Sequence, residues 1–515
     1  MSNFSDFKNG SLAQSSPAMQ KIRNKTITAE KFASMVKSGD WIYGCMVGTD
    51  AVAPRKAVFQ RLGEGPDKLQ NIEMWAVDNA FLGTDFGLRY DKEGKYHIQH
   101  QGFIHKGTKD AIKQGWQGFD WYQWGWAMHM NYQFARFYNK DKSKRVADWG
   151  IATIAKPEGS YVNGSYGVSN FMITAKTCKK FVCEIREDHG WCEPGRNVNL
   201  HIDNVDYFIE VDLSDPDVQY PRLDERNIKP SETEKKIAEN ILSIMRDGDT
   251  LQVGIGGLPN AVVLALADSD LKHLGVHTEM IGEWAFTLIE KGIIDNSKKS
   301  IDQGRCSWAY AVPFIPERYF EFMHHNPMFA AYDINYTNNF LTLSMVDNFM
   351  GVMSFAKMDI RGQVVSSCVT GRPISNTGGQ FQFTVGGQLS KGGRTVLAAT
   401  SRTPDGKSRI VGMLDRGDVV DVPSQFVNYV ATEYGIVNLM ACTDAEKASK
   451  LISIAHPDDR EELEKEAAKL GIKTKHWMFD VCPDRRYPTA DDLKDHKHGY
   501  MDLVIAPKGV ANPSS

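Results

Sequence analysis

The chain has 515 residues, 42% of them hydrophobic and 24% charged, as expected for a water-soluble globular protein of several domains. Its formal net charge of -4 and pI near 6.4 indicate no basic surface for nucleic acid or for an anionic membrane. No apolar run is long enough to span a bilayer, and the polar amino terminus lacks the apolar segment of a signal peptide. We therefore expect a cytoplasmic protein with neither a nucleic-acid nor a membrane partner.

The cysteine and histidine patterns argue against a metal centre. Eight cysteines are scattered without a C-x-x-C pair, so zinc-ribbon spacing is absent and reduced thiols are expected. His324-His325 is the only histidine doublet, and neighbouring side chains on one element point in different directions. We expect no metal site.

Two stretches of the chain share one pattern. After a polar lead-in, residues 27–62 predict a helix, a Gly-Asp turn, a strand, a glycine-containing loop and a second helix that begins near a proline. Residues 232–268 repeat this order about 210 positions later. The repeat predicts an internal duplication, with two similar α/β halves that each have an open sheet. Chance similarity is the alternative, because Gly-Asp before a strand is common.

A stretch rich in proline and charge, residues 212–236, predicts the linker between the halves. We therefore place an amino-terminal domain at 1–225 and a carboxyl-terminal domain at 226–515. Within the first domain, residues 105–138 carry four tryptophans among tyrosines and phenylalanines. Aromatic clusters can stack nucleic-acid bases, but this one lacks a dense set of basic partners. Core packing, a dimer contact or a lid over an active site is the expected role.

Residues 249–280 predict a βαβ unit at the start of the second half. A short apolar strand leads into a glycine loop and an apolar helix, and a second strand ends near Glu279. The loop and helix start read Gly254-Ile255-Gly256-Gly257-Leu258-Pro259. In open α/β sheets, ligands bind outside the carboxyl ends of the strands, so the loop and the carboxylate should face one crevice. Backbone N–H groups at such a helix start bind a phosphate or an oxyanion, although a tight turn without a ligand has the same pattern.

A nicotinamide-binding Rossmann unit is one alternative for this stretch. Gly254 and Gly256 fit the first two glycines of G-x-G-x-x-G, and an acid about 25 residues later suits a ribose hydroxyl. Pro259 occupies the third glycine position. Proline begins a helix well, but it does not permit the close approach of helix and strand that glycine gives. The dinucleotide interpretation is therefore disfavoured.

Five motifs carry a more specific signal, namely DNVDYFIEVD, GIGGLPNAV, VHTEM, TGGQ and ATEYG, in this order. Together they resemble the acetyl-CoA hydrolase/transferase family, and in particular its 4-hydroxybutyrate and succinyl-CoA:acetate CoA-transferase members. The resemblance covers the second half well and the first half more loosely. It implies two related α/β CoA-transferase domains, a homodimer, and no cofactor, since coenzyme A is a substrate.

The resemblance also implies site residues. Glu279 takes the position of the catalytic glutamate. Two glycine-rich segments would lie against coenzyme A, formed by Gly254, Ile255, Gly256, Gly257 and Leu258 and by Gly378, Gly379 and Gln380. Glu433 would lie near the active centre, and Val47 and Gly48 would line the acyl pocket and help to bind its oxyanion. Either Asn338 or Asn339 matches a family asparagine that contacts the reacting carbonyl, and Asn339 is the residue assigned here.

The chain departs from the family pattern after its Gly-Gly-Gln element. The family often continues with Asp-Phe-x-Arg-Gly-Ala, whereas residues 382–387 read Gln-Phe-Thr-Val-Gly-Gly. The acid and the arginine are lost together, which indicates a paired change in this part of the site.

These residues predict a CoA-transferase of EC 2.8.3 type with a ping-pong mechanism. Glu279 would attack a short-chain acyl-CoA and pass coenzyme A, as a glutamyl-CoA thioester, to a free carboxylate such as acetate. An acyl-CoA hydrolase that uses the same glutamate is the alternative, and exclusion of water decides between the two. A CoA- or nucleotide-binding regulatory protein without activity is less consistent with an intact Glu279 beside intact glycines.

Overall fold

The structure is a computed structural model of the chain. It describes residues 16–45, 51–75, 90–96, 114–115, 146–194, 199–219, 229–254, 256–311, 317–375 and 377–474. Val47, Gly48, Ile255 and all of segment 105–138 except residues 114–115 lie outside these ranges. The predictions made for them therefore stay predictions.

The described part of the first half alternates helices and strands. Its helices are α1 Pro17–Lys25, α2 Ala29–Met35, α3 Val52–Phe59 and α4 Phe171–Thr177. Its strands are β1 Trp41–Gly44, β2 Glu73–Trp75, β3 Trp149–Ala155, β4 Tyr161–Asn163, β5 Lys180–Arg186, β6 Glu193–Pro194, β7 Asn199–His201 and β8 Tyr207–Glu210. The helix–strand–helix order predicted for residues 27–62 is confirmed by α2, β1 and α3.

The second half continues the alternation. Its helices are α5 Glu232–Leu242, α6 Gly257–Ala267, α7 Glu283–Glu290, α8 Glu317–Met323, α9 Ile334–Thr337, α10 Phe340–Ser344, α11 Gln380–Leu389, α12 Asp444–Ile454 and α13 Pro457–Lys469. Its strands are β9 Thr250–Val253, β10 Gly275–Ile281, β11 Cys306–Ala311, β12 Phe329–Ala331, β13 Phe349–Ser354, β14 Lys357–Asp359, β15 Val364–Val365, β16 Cys368–Val369, β17 Arg372–Pro373, β18 Arg394–Ala398, β19 Ile410–Val411, β20 Tyr429–Thr432 and β21 Gly435–Asn438. In the described residues, no helix has both the length and the apolar content needed to cross a membrane.

The first half is built on a parallel sheet of five strands in the order β2-β1-β3-β5-β8. Every residue of β3 is buried. Ile151 packs into one apolar cluster with α2 and α3, whereas Ala152 and Ile154 pack into another with α1 and α4. Because helices cover both faces of a parallel sheet, its strands are apolar along their whole length rather than alternating.

The second half is built on a nine-stranded sheet in the order β21-β20-β18-β13-β9-β10-β11-β12-β6. All its pairs are parallel except β20 with β21. Strand β6 belongs to the first half in sequence but pairs with β12 at this sheet's edge, where Glu193 lies opposite Ala330. The two halves are therefore joined through backbone hydrogen bonds as well as through the chain. The structure is thus a mixed α/β fold with mainly parallel sheets.

The strand order of the first sheet recurs in the second as β10-β9-β13-β18-β20. The turns that lead into β1 and β9 also correspond. Gly39 and Gly248 have left-handed φ angles of 84° and 78°, which glycine adopts without a steric penalty. Their N–H groups donate at 3.1 Å to the carbonyl oxygens of Gln70 and Lys272, each just before the neighbouring strand. The repeated pattern read in the sequence therefore has the same local geometry in both halves.

Candidate active site

Glu279 lies on β10, in the interior of the nine-stranded sheet, and its residue surface is only 7% exposed. Its side chain borders a cavity of about 480 Å³. The other polar or glycine residues of the cavity wall that matter below are Gln252, Gly254, Ser354, Gly378, Gly379, Gln380 and Arg409. The predicted βαβ unit is confirmed by β9, α6 and β10, and the glycine loop and the carboxylate meet at one cavity, as their place at the strand ends requires.

Two neutral donors hold the Glu279 carboxylate. Asn338 Nδ2 donates to Oε2 at 2.5 Å and the Tyr310 hydroxyl donates to Oε1 at 3.2 Å. Burial raises the pKa of Glu279 to about 7, even though both hydrogen bonds favour the anion and act to lower it. Because an anion in a desolvated site is poorly stabilised, this carboxylate is closer to the reactivity that a nucleophile needs than an exposed glutamate would be.

Of the two neighbouring asparagines, the structure brings Asn338, and not the assigned Asn339, to Glu279. Asn339 caps helix α10, where its Oδ1 accepts from the Leu341 N–H at 2.8 Å. Asn338 is buried at the end of α9, and Thr337 Oγ1 donates to its Oδ1 at 2.9 Å. This bond holds the amide with its Nδ2 toward Glu279. The motif Tyr-Thr-Asn-Asn alone could not distinguish two adjacent residues whose side chains diverge.

The backbone of the Gly378-Gly379 turn packs closely against the Glu279 carboxylate. A Cβ atom added at Gly379 would overlap Glu279 Oε2 and Asn338 Nδ2. Gly378 adopts a left-handed φ of 52°, and Gly379 is the N-cap of α11 without a side-chain capping bond. Glycine is therefore required at 379 for close approach, and uncapped N–H groups at the start of a helix are available to an anion. Gln380 borders the cavity too, and its Nε2 donates to the Ser354 carbonyl at 2.6 Å.

The glycine loop after β9 contributes mainly through Gly254, which borders the cavity. Gly256 has a φ of 124° and caps α6 without a side-chain bond. Gly257 faces away from the cavity, since a Cβ there would collide with the Glu234 side chain of α5. Leu258 belongs to the apolar core. Contact of Gly257 or Leu258 with a ligand would thus have to come from the backbone.

Gln252 is a site residue that the sequence interpretation missed. Its Oε1 accepts from the Glu279 N–H at 3.3 Å and from the Thr278 hydroxyl. The backbone donor fixes which end of the amide carries oxygen, which leaves Nε2 as the donor end, and Gln252 borders the cavity. The signal was its position two residues before Gly254, because alternate residues of a strand share one face.

Glu433 lies outside the described cavity wall and contacts a loop that leads to the wall residue Arg409. It follows β20, which is four strands from β10 in the sheet, a lateral separation of roughly 19 Å. Its carboxylate accepts from the N–H and the hydroxyl of Ser401 at 2.8 and 2.6 Å. The Ser401 carbonyl accepts in turn from the N–H of Arg409 at 2.8 Å. Glu433 therefore positions the loop that carries Arg409 rather than touching Glu279.

A buried polar layer supports β10 from behind. His277 Nε2 donates to the Thr337 carbonyl at 2.9 Å, and burial together with nearby Lys299 lowers the pKa of His277 to about 4. Lys299 Nζ donates to two carbonyls and to Ser307 Oγ, and burial lowers the pKa of its amine to about 8.

Within the described ranges, no group of three or more His, Cys, Asp or Glu side chains could hold a metal ion.

Comparison with known proteins identifies the family of this chain. The family models of the acetyl-CoA hydrolase/transferase N-terminal and C-terminal domains match residues 13–216 and 316–467. The 4-hydroxybutyrate coenzyme A transferase of Clostridium kluyveri is 32% identical over 461 residues, which are 87% of this chain and 98% of that protein. The butyryl-CoA:acetate CoA-transferase of Anaerostipes caccae is 29% identical, over 88% of this chain and 98% of that protein.

A solved structure shows the same fold. The 4-hydroxybutyrate CoA-transferase from Porphyromonas gingivalis superposes with a TM-score of 0.65 at 25% sequence identity, over 87% of this chain and 98% of that chain. Both domain models, the full-length relatives and the fold point to one family of transferase-type enzymes. The chain belongs to the acetyl-CoA hydrolase/transferase family.

Proposed function

We propose that this CoA-transferase moves coenzyme A from a short-chain acyl-CoA to a free carboxylate through a glutamyl-CoA thioester on Glu279. The observation that carries the proposal is a buried carboxylate that borders a cavity, held by two neutral donors and covered by the Gly379 backbone. A covalent route suits this chemistry, because a free carboxylate is a poor acyl acceptor and one difficult step is split into several easier ones.

In the first step, a Glu279 oxygen attacks the thioester carbonyl and the C–S bond breaks. The products are an acyl-glutamyl anhydride and the thiolate of coenzyme A. The thiolate then attacks the glutamyl carbonyl, which releases the donor acid as a carboxylate and leaves glutamyl-CoA. An acceptor carboxylate runs the same steps in reverse. One thioester and one carboxylate are present before and after, so neither ATP nor a redox partner is consumed.

Each tetrahedral intermediate carries an oxyanion, and the cavity offers donors for it. The uncapped start of α11 at Gly379 and the Gln252 amide both border the space beside Glu279. Removal of one such donor typically costs about 3 kcal/mol of transition-state stabilisation. Asn338 and Tyr310 hold the nucleophile in one orientation, so that little freedom is lost when the reacting atoms meet.

The acyl substrates are proposed by analogy with the relatives. Those proteins are named for 4-hydroxybutyrate and for butyryl-CoA with acetate. We infer that this enzyme acts on short-chain carboxylic acids of similar size.

The deciding experiment traps the intermediate. The protein is incubated with acetyl-CoA and reduced with borohydride, and the peptide that contains Glu279 is examined by mass spectrometry. We expect conversion of the Glu279 carboxyl to an alcohol, and no such product from the Glu279→Gln variant. Acyl-CoA turnover that persists in that variant would overturn the mechanism. Release of free coenzyme A without exchange of labelled acetate would identify a hydrolase that uses the same glutamate.

We infer further that domains 1–225 and 226–515 arose by internal duplication, which the shared strand order and the matching turns at Gly39 and Gly248 support. The homodimer and the cytoplasmic location stay predictions. Mass photometry at nanomolar concentration tests the first, and fractionation of the source cells tests the second.

A further inference from the structure

The cavity that holds Glu279 has a single cationic side chain in its described wall, that of Arg409. Arg409 immediately precedes β19, which pairs with β14. Its Nη1 donates to the Ala356 carbonyl at 2.9 Å, and its Nε lies 3.4 Å from Thr400 Oγ1. These two neutral contacts fix the orientation of the guanidinium at the cavity and leave its charge uncompensated.

Arg409 differs from other arginines of this half. Arg394 forms an ion pair with Asp249, and Arg361 Nε lies 3.1 Å from Asp444. Among the residues that the structure describes, Arg409 has no carboxylate within 4 Å, although it is partly buried. Burial lowers the pKa of its guanidinium, and only a more distant acid, Asp405, opposes this. A desolvated guanidinium with neutral partners has unused capacity for an anion.

The position of Arg409 separates it from the reacting atoms. Its anchor, Ala356, lies two residues beyond β13, and β13 is two strands from β10 in the sheet. The lateral separation of those strands is roughly 10 Å. An anion on Arg409 would therefore be a remote part of a substrate whose carbonyl reaches Glu279. Binding energy from such a remote group can be used to orient the reacting centre.

We propose that Arg409 is an anion-binding residue of this cavity and receives an oxyanion group of the substrate at a distance from Glu279. The inference rests on the proposed function, since it takes the cavity as the substrate site. Two sources carry this chemistry. One is a phosphate of coenzyme A, and the other is the second carboxylate of a dicarboxylic acid. Both present paired oxygens that suit a guanidinium.

The test compares Arg409→Met and Arg409→Lys with the wild-type enzyme. Arg361→Met is the matched control, since Arg361 is a surface arginine of the same half that pairs with Asp444. The KM values of both donor and acceptor are measured for acetyl-CoA and for acetyl-pantetheine, each with labelled acetate and with succinate as acceptor. Loss of a charged hydrogen bond predicts a rise in KM on the order of 10- to 100-fold for Arg409→Met. We expect partial recovery in Arg409→Lys and little change in Arg361→Met.

The substrate pairs identify the source. If Arg409 holds a phosphate, the rise appears with acetyl-CoA and disappears with acetyl-pantetheine. If it holds a distal carboxylate, the rise appears in the KM for succinate and not in the KM for acetate. The same KM in wild type and Arg409→Met for all four pairs, or an equal rise for all four, would overturn the proposal.

A binding measurement keeps this result separate from the failure of the transferase mechanism. Calorimetry with coenzyme A, pantetheine and succinate is performed on Glu279→Gln and on the double variant with Arg409→Met, with folding checked by circular dichroism. Weaker binding of coenzyme A or succinate in the double variant supports the anion site even if no transfer occurs. If each of the three probes binds Glu279→Gln and the double variant with the same affinity, the anion site is contradicted. If the Met variant does not fold, Arg409→Lys is compared in its place, with the same two outcomes.

Discussion

Glu184 in the first half and Glu279 in the second are both buried on interior strands of their sheets, but their charges are compensated differently. Glu184 accepts from the Ala53 N–H at 2.7 Å and from Thr153 Oγ1 at 3.3 Å. The Arg186 guanidinium lies 3.5 Å from it, so a cation and the start of helix α3 compensate its charge. Such a carboxylate joins elements of the fold.

Glu279 has neutral donors instead. Asn338 and Tyr310 bond its oxygens, and no lysine or arginine lies within 4 Å of it among the described residues. Burial without a counter-ion raises the pKa of this carboxyl to about 7. Burial alone therefore does not identify a reactive carboxyl group. Burial that leaves the charge uncompensated next to a cavity is the better sign.

Replacement of each glutamate by glutamine tests whether the two buried carboxylates differ in function. Glu279→Gln removes the proposed nucleophile, so we expect the rate of CoA transfer to fall by about 10⁴-fold or more. Glu184→Gln replaces the charged acceptor of the Ala53 N–H by a neutral one, while Arg186 keeps its closer pair with Asp188, so we expect the free energy of unfolding to fall by about 1 kcal/mol while the folded protein keeps its kcat. Steady-state kinetics and urea unfolding check the two outcomes. Equal loss of activity in both variants would remove the distinction.

Glu279→Gln should also change how stability depends on pH. The folded-state pKa of about 7 is above the ordinary value of 4.5, so the stability that the protonated acid contributes is fully present below pH 4.5 and is lost as pH rises through 7. The variant lacks this titration. We therefore expect it to gain stability relative to the wild type, on the order of 3 kcal/mol, between these pH values. If the free energies of unfolding of the wild type and the variant change with pH in the same way, the raised pKa of Glu279 is contradicted.

Gly379→Ala tests the close approach of the α11 turn. The added methyl group overlaps Glu279 Oε2 and Asn338 Nδ2, so the turn or the carboxylate must shift by a fraction of an ångström or more. Misplacement of this order predicts a loss in kcat of about 100-fold. Kinetics with acetyl-CoA measure the loss, and near-UV circular dichroism shows whether the fold is kept. Unchanged kcat would mean that the Gly379 backbone does not touch the reacting carboxylate.

Asn338→Ala and Asn339→Ala separate the two adjacent asparagines. Removal of the Asn338 donor should lower kcat/KM by about 100-fold. It should also raise the pKa of Glu279, because this hydrogen bond favours the anion. Since the carboxylate is the active form, the pH at which kcat/KM reaches half its maximum should move upward from about 7 in the variant. Asn339→Ala should cost only about 1 kcal/mol of stability through the lost α10 cap. The reverse result would restore the sequence-based assignment.

The smallest effect is expected at Thr337, which orients Asn338 without contacting Glu279. Thr337→Val removes the hydroxyl that donates to Asn338 Oδ1 and keeps the shape of the side chain, so we expect a fall in kcat of about tenfold. The KM for acetyl-CoA should change little, since the Asn338 amide acts on the nucleophile. Thr337→Ser should restore most of the rate. Equal loss in both variants would indicate a packing role only.

The local elements were within reach of the sequence. The Gly-Asp turns, the βαβ unit of residues 249–280 and Glu279 at the end of its second strand all follow from spacing and periodicity. These features depend on contacts within a few turns of the chain. The glycine at 379 could also be recognised by its motif, although the atoms that make it necessary, on Glu279 and Asn338, are supplied from other segments.

Which side chains meet at the Glu279 carboxylate depends on the packing of distant segments of the chain. Tyr310 lies 31 positions after Glu279 and Asn338 lies 59 positions after it, and sequence spacing does not state which face of a distant element points inward. Glu433 carries a familiar motif, yet the strand order places it four strands from β10. Arg409 drew no attention in the sequence, because a cation without a counter-ion is recognised only when its surroundings are known. The α/β class and the family could be recognised from the sequence, which also pointed to Glu279 as the proposed nucleophile. The donors around that nucleophile, and the charge left free in its cavity, were decided by strand order and side-chain direction across the folded sheet.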